Sequence, residues 1–128
     1  MRIFQNKAFV RFAKKAGIDD AMLCEVLWDA ERGLIAANLG GGVIKQRIAR
    51  PGQGKSGGFR TLIVFRTGDR TFFVHGFAKN EADNIGKNEL VALKKLASEL
   101  LAYDDKALAQ VVASGTLTEV TCDEEAIP

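Results

Sequence analysis

The side chains with the most chemistry to offer in this chain are cations. Between positions 43 and 79 stand eight of them, Lys45, Arg47, Arg50, Lys55, Arg60, Arg66, Arg70 and Lys79, against one acid, Asp69. Such a block is the electrostatic footprint of an anionic partner, and nucleic-acid phosphate is the usual one. Lys and Arg also guard strand edges against unwanted pairing, so a solvated set of strand edges is the competing reading. The imbalance extends beyond the block: residues 1–80 carry 14 basic and 6 acidic side chains, net +8, whereas residues 81–128 carry 4 and 10, net −6.

Within the block, RIARPGQGKSGG at 47–58 contains Gly54-Lys55-Ser56, which invites a phosphate-loop reading. The glycine that motif requires five positions earlier is Ala49, and a strand follows where a helix should start. A flexible hairpin loop fits better, with glycines that let the backbone approach a ligand and Arg50 and Lys55 as its charges. Phe59-Arg60 opens the next strand, and His75-Gly76-Phe77-Ala78-Lys79-Asn80 closes the one after it. Antiparallel pairing around a Thr67–Asp69 turn brings Arg60 and Lys79 to the same end of the sheet, fed by the loop that holds Lys55. Three cations then converge without a carboxylate. Cleavage of RNA by its own 2′-OH needs the hydroxyl deprotonated, the phosphorane charge stabilised and the leaving 5′-oxygen protonated. Clustered Lys and Arg supply the second need directly, and a lysine among cations can exchange a proton. His75 is the alternative acid or base, with a structural histidine as the equal competitor.

These residues need a frame, and the length allows one domain. Of 128 residues, 47% are hydrophobic, enough for a real core. No apolar run approaches the ~18 residues of a membrane span, and MRIFQNKAFVRF lacks a signal peptide's apolar stretch. The expectation is a cytoplasmic protein without membrane contact. Cys24, Cys122 and His75 are too few and too scattered for a zinc site, so no metal or cofactor is expected. Cys24 reads as a small buried hydrophobe and Cys122 as a tail residue. Periodicity predicts a strand over 2–5, helices over 6–16 and from Asp19 or Asp20 to about 32, and a glycine-rich linker over 34–42. A three-stranded antiparallel meander follows over 43–77, apolar on both faces and therefore covered on both sides. Asn88 caps a third helix to about 103, Asp104 a fourth to about 113, and 116–120 is a short strand. The first two helices read as an αα-hairpin whose second member has an apolar stripe ending at Leu34. One domain over 1–121 with an acidic tail over 122–128 is the expected organisation.

The stretch from Lys45 to Ile85, above all the Arg50-to-Arg60 run and the Gly76-Phe77-Ala78-Lys79-Asn80 close, resembles the central signature of the RelE/HigB superfamily of bacterial type II toxins. The order of elements over about 2–103 agrees. The resemblance implies an α+β RelE-like microbial RNase fold: an antiparallel sheet with an N-terminal helical hairpin and C-terminal helices. It implies a metal-independent endoribonuclease that enters the ribosomal A site, cuts mRNA to a 2′,3′-cyclic phosphate and inhibits translation. Carried over by position, Lys55, Arg60 and Lys79 would be catalytic, and Lys45, Arg47, Arg50, His75 and Asn80 would contact RNA. A cognate antitoxin would cover this surface and bind DNA itself, so that DNA is met only through it. Relatives often place a C-terminal tyrosine near the site, but here the single tyrosine, Tyr103, is followed by 25 residues. The fold also includes ParE-like toxins, which inhibit DNA gyrase without a nuclease site. A gyrase inhibitor and a plain RNA-binding module are the alternatives.

Overall fold

The computed structural model describes residues 1–49, 58–78 and 85–122. In chain order its elements are β1 (Arg2–Asn6), α1 (Lys7–Ala16), α2 (Asp20–Glu31), β2 (Ala37–Gly40), β3 (Val43–Ile48), β4 (Phe59–Arg66), β5 (Arg70–Ala78), α3 (Lys87–Ala102), α4 (Asp105–Ala113) and β6 (Leu117–Val120). The strands form one six-stranded sheet in the order β2-β3-β4-β5-β1-β6. The class is mixed α+β, and the expected meander is its centre.

Helix starts follow side-chain chemistry closely. Each orphan amide of a first turn needs an acceptor. Asn6 Oδ1 accepts from Phe9 N at 2.9 Å, Asp19 Oδ1 from Met22 N at 2.9 Å, and Asp104 Oδ1 from Ala107 N at 2.7 Å. The third helix departs from this rule. Leu90 N donates to Gly86 O at 2.9 Å, so α3 already runs through Asn88, and no side chain caps it. Leu34 also departs from expectation: α2 stops at Glu31, and Leu34 is left 57% exposed.

Two features of the sheet correct the sequence reading. The sheet is not wholly antiparallel: β1 runs parallel to β5, from Arg2↔Arg70 to Gln5↔Phe73, and antiparallel to β6, from Ile3↔Val120 to Asn6↔Leu117. Local periodicity carries no information about which distant strand a segment will join. The stretch read as a linker holds β2, which makes a hairpin with β3. Its turn is Gly41-Gly42, both with positive φ (62° and 83°), as a two-residue hairpin turn of matching twist requires. Ala37-Asn38-Leu39-Gly40 has little β propensity, and tertiary bonds hold it instead. The buried Gln46 donates through Nε2 to Leu34 O at 2.9 Å and accepts from Ala36 N at 2.7 Å.

Both faces of the sheet are covered, as the doubly apolar strands required. On one face Phe9 and Ala13 of α1 and Leu23, Val26, Leu27 and Ala30 of α2 pack with Ile44, Ile63 and Phe73. On the other, Ala97 and Leu100 of α3 and Leu108 of α4 pack with Val43, Leu62, Val64 and Phe72. The two N-terminal helices follow each other and are seated chiefly on strands, α1 on β5 and α2 on β3. Among the described residues no helix is long and apolar enough to cross a membrane.

The cysteines differ from their expected states. Cys24 and Cys122 form a disulfide, Cα to Cα 5.8 Å. The burial of Cys24 is as expected, but Cys122 is no loose tail residue. Val120 points into the same apolar cluster as Cys24, and that placement carries the chain after β6 to α2.

One glycine fixes how α1 meets the sheet. A Cβ on Gly76 would lie 2.3 Å from Phe12 Cε2, and the Phe12 ring in turn meets Phe59 edge-on at 5.5 Å. Gly76→Ala is therefore expected to lower stability by about 1–3 kcal/mol through overpacking. Urea unfolding reads this, and Phe12→Leu in the same chain should recover most of the loss. An unchanged midpoint for Gly76→Ala would mean that α1 is not seated on Gly76.

Candidate nucleic-acid interface

Strand register decides which of the cations share a face, because directly opposed residues of adjacent strands project to the same side. Arg47 of β3 lies opposite Arg60 of β4, and Arg60 opposite Phe77 of β5. One row along, Lys45 lies opposite Leu62, and Leu62 opposite His75. Leu62 and Phe77 belong to the cluster on the α3 and α4 side. Lys45, Arg47, Arg60 and His75 therefore share that face, over a floor of Leu62 and Phe77.

His75 is there because of a bulge. Regular alternation would put it on the side of Phe73, which faces α1 and α2. The pairing shifts between Leu62↔His75 and Ile63↔Phe73, which leaves Val74 as an extra residue. A bulge re-aims the side chains that follow it. Here it turns the His75 ring to the basic face, where it sits 5.8 Å from the Phe77 ring.

The cations differ in their contact with water. Arg47 and His75 are exposed and Lys45 is half-buried, whereas Arg60 is only 8% exposed. Arg60 Nη1 donates to Phe59 O at 3.4 Å. A guanidinium withdrawn from water acts on a nearby anion in a lower dielectric, where each charge contact is worth more. Arg47 directly opposite Arg60 is a like-charge pair, which costs stability on a sheet surface.

The far end of the same hairpin offers a contrast. Arg66 and Arg70 are also opposed, but both meet Asp69, at 3.2 Å and 3.4 Å. Arg70 Nη1 further donates to Tyr103 O at 2.6 Å. Two of the eight cations are thus internally matched and lie away from the interface, and Tyr103 lies with them. Arg50, Lys55, Lys79 and Asn80 fall outside the described residues. The described pairing of β4 with β5 extends to Phe59↔Ala78, and Ala78 is the last described residue before the stretch that holds Lys79 and Asn80.

Sequence reasoning missed the residues that hold this face in register. Thr61 and Gln46, both buried, occupy the opposite side of β4 and β3, and Thr61 Oγ1 donates to Gln46 O at 3.2 Å. Gln46 then clasps the chain entering β2, as described. A polar residue amid doubly covered strands was their only signal. Among the described residues pairing with β2 ends at Lys45, and none of them pairs with β3 beyond it on that side. There Arg47 also borders depressions shared with Glu25 and Asp29 of α2, whose acidic lining suits phosphate poorly.

A family model described as the RelE toxin of the RelE/RelB toxin–antitoxin system matches residues 1–120. No individual curated protein matches the chain.

Proposed function

Because the chain belongs to the RelE toxin family, we propose that it is a ribosome-dependent mRNA endonuclease, the toxin of a type II toxin–antitoxin pair. The reaction is an in-line transfer. The 2′-oxygen attacks the adjacent phosphorus, the bond from phosphorus to the 5′-oxygen breaks, and a 2′,3′-cyclic phosphate and a 5′-OH result. No metal is required for the step. Arg60 binds the phosphate and stabilises its extra charge, with Lys55 and Lys79 completing a cationic site that also moves the proton. Lys45, Arg47, Arg50, His75 and Asn80 hold the RNA around it. With no pair of strong general bases, such a site depends on the ribosome to align the message.

The observation that carries this reading is the single face shared by Lys45, Arg47, Arg60 and His75 across three strands. A cognate antitoxin with complementary acidic groups would neutralise the same face, and contact with DNA would pass through that partner. The site of action would be the cytoplasm, where ribosomes are.

Primer extension on a translated mRNA after brief expression tests the proposal. Cuts within codons, absent from the same message lacking a start codon, are the expected result. Intact message together with inhibited gyrase supercoiling would replace this reading with a ParE-like one. Intact message with RNA binding alone would leave a binding module.

A further inference from the structure

Four cations of α1 play no part in that face. Lys7, Arg11, Lys14 and Lys15 are all exposed, and the helix, KAFVRFAKKA, contains no acid. Their spacing places them along one side, opposite the buried Phe9 and Ala13, over about 12 Å of axis. Among the described residues none of the four has an ion pair or a side-chain hydrogen bond. Arg2, Arg32, Arg66 and Arg70 behave differently, since each meets a carboxylate.

Helix stability does not explain the stripe. Lys14 and Lys15 in the last turn suit the helix dipole, but Lys7 occupies the first position, where a cation is unfavourable. Lys7–Arg11 and Arg11–Lys15 are like-charge pairs one turn apart, also unfavourable. The stripe therefore works against the helix that carries it unless an anion meets it.

The location is specific too. Through Phe12 on Gly76 and Phe59, α1 backs the part of β4 and β5 that bears Arg60 and His75, on the reverse side of the sheet. We propose that the α1 stripe is a second RNA-binding surface, one that grips the phosphate backbone of structured RNA while the opposite face of the sheet holds the strand to be cut. The ligand class, RNA, rests on the nuclease reading. A protein partner fits less well: interfaces between proteins have an apolar centre, and no large exposed hydrophobic residue lies on α1. Phosphate contacts need only charges and carry no sequence information.

The test uses a 16-base-pair RNA duplex with 2′-O-methyl riboses, which cannot be cleaved, and anisotropy titrations from 50 to 300 mM salt. Replacing Lys7, Arg11, Lys14 and Lys15 together with Gln should reduce the slope of log affinity against log salt by about 3, for roughly 0.7–0.9 per lost phosphate contact. The advantage of the wild type then shrinks about 60-fold between 50 and 200 mM. Arg11→Gln and Lys7→Gln alone should each remove about 0.8 of slope, which keeps the test valid if the quadruple variant unfolds. An unchanged slope in a folded variant overturns the inference, as does stripe-dependent binding of poly-glutamate with none of the duplex. Cleavage does not enter this measurement. A chain that grips the duplex through α1 yet cuts no translated message retains this surface and loses the nuclease reading.

Discussion

Arg60→Ala is expected to slow cleavage of mRNA on programmed ribosomes by about 10²–10³-fold, the usual loss when one preorganised donor to a developing oxyanion is removed. Arg60 stands out among the described cations because it is nearly withdrawn from water, opposite Arg47 and beside the Phe77 floor. Growth arrest on expression should be relieved in parallel. Because Arg60 is buried, the thermal unfolding of the variant must be measured beside its activity. Arg60→Lys separates charge from shape: it keeps the cation but loses the planar fork that grips two phosphate oxygens, so its rate should fall between wild type and Ala. Lys55→Ala and Lys79→Ala should resemble Arg60→Ala. Arg66→Ala is the control, since Arg66 pairs with Asp69 at the other end of the hairpin. If folded Arg60→Ala and Lys79→Ala proteins remained fully toxic, the endonuclease assignment would have to be withdrawn.

The second large effect concerns the bond between Cys24 and Cys122. It joins residues 98 apart, and a cross-link over a long loop removes much of the unfolded chain's freedom. Cys122→Ala should therefore cost about 2–4 kcal/mol of unfolding free energy under non-reducing conditions. Adding dithiothreitol should bring the wild type down to the variant and leave the variant where it was. A reductant must start at the half-buried Cys122 sulfur, because Cys24 is 1% exposed within the core. Two titratable thiols in the untreated native protein, or a wild-type midpoint indifferent to reductant, would contradict the prediction. A reducing cytosol disfavours such bonds. Repeating the titration against a glutathione couple gives the fraction bonded under those conditions.

The sequence disclosed the local features of this molecule and hid the distant ones. Asp19 and Asp104 announced their helices because a cap is a contact between residues three apart, whereas Asn88 has the cap chemistry yet lies inside α3. The hairpin of β4 and β5 was legible from its turn and from apolar residues on both strand faces. β2 was not, because Gly40-Gly41-Gly42 resembles a linker unless the positive-φ turn is recognised, and Gln46 supplies its anchors from β3. The position of β1 between β5 and β6, and the reach of Cys122 to Cys24, depend on packing between ends of the chain that no window of residues contains. At the interface, charge and turn geometry together placed Arg60 at one end of the meander. The bulge at Val74 that turns His75 onto the same face was invisible, since alternation by itself puts His75 on the reverse side.

Strand β1 is synthesised well before β6, yet Ile3 pairs with Val120 and Asn6 with Leu117. Leu117 and Val120 also complete the apolar clusters on the two faces of the sheet. Contacts of such sequence separation form late, because the intervening chain must first exist and then be ordered. During translation β1 consequently keeps an open edge until residues 117–120 have emerged, and the sheet closes only then. A protein whose proposed target is the ribosome thus stays structurally unfinished while the residues between β1 and β6 are being made.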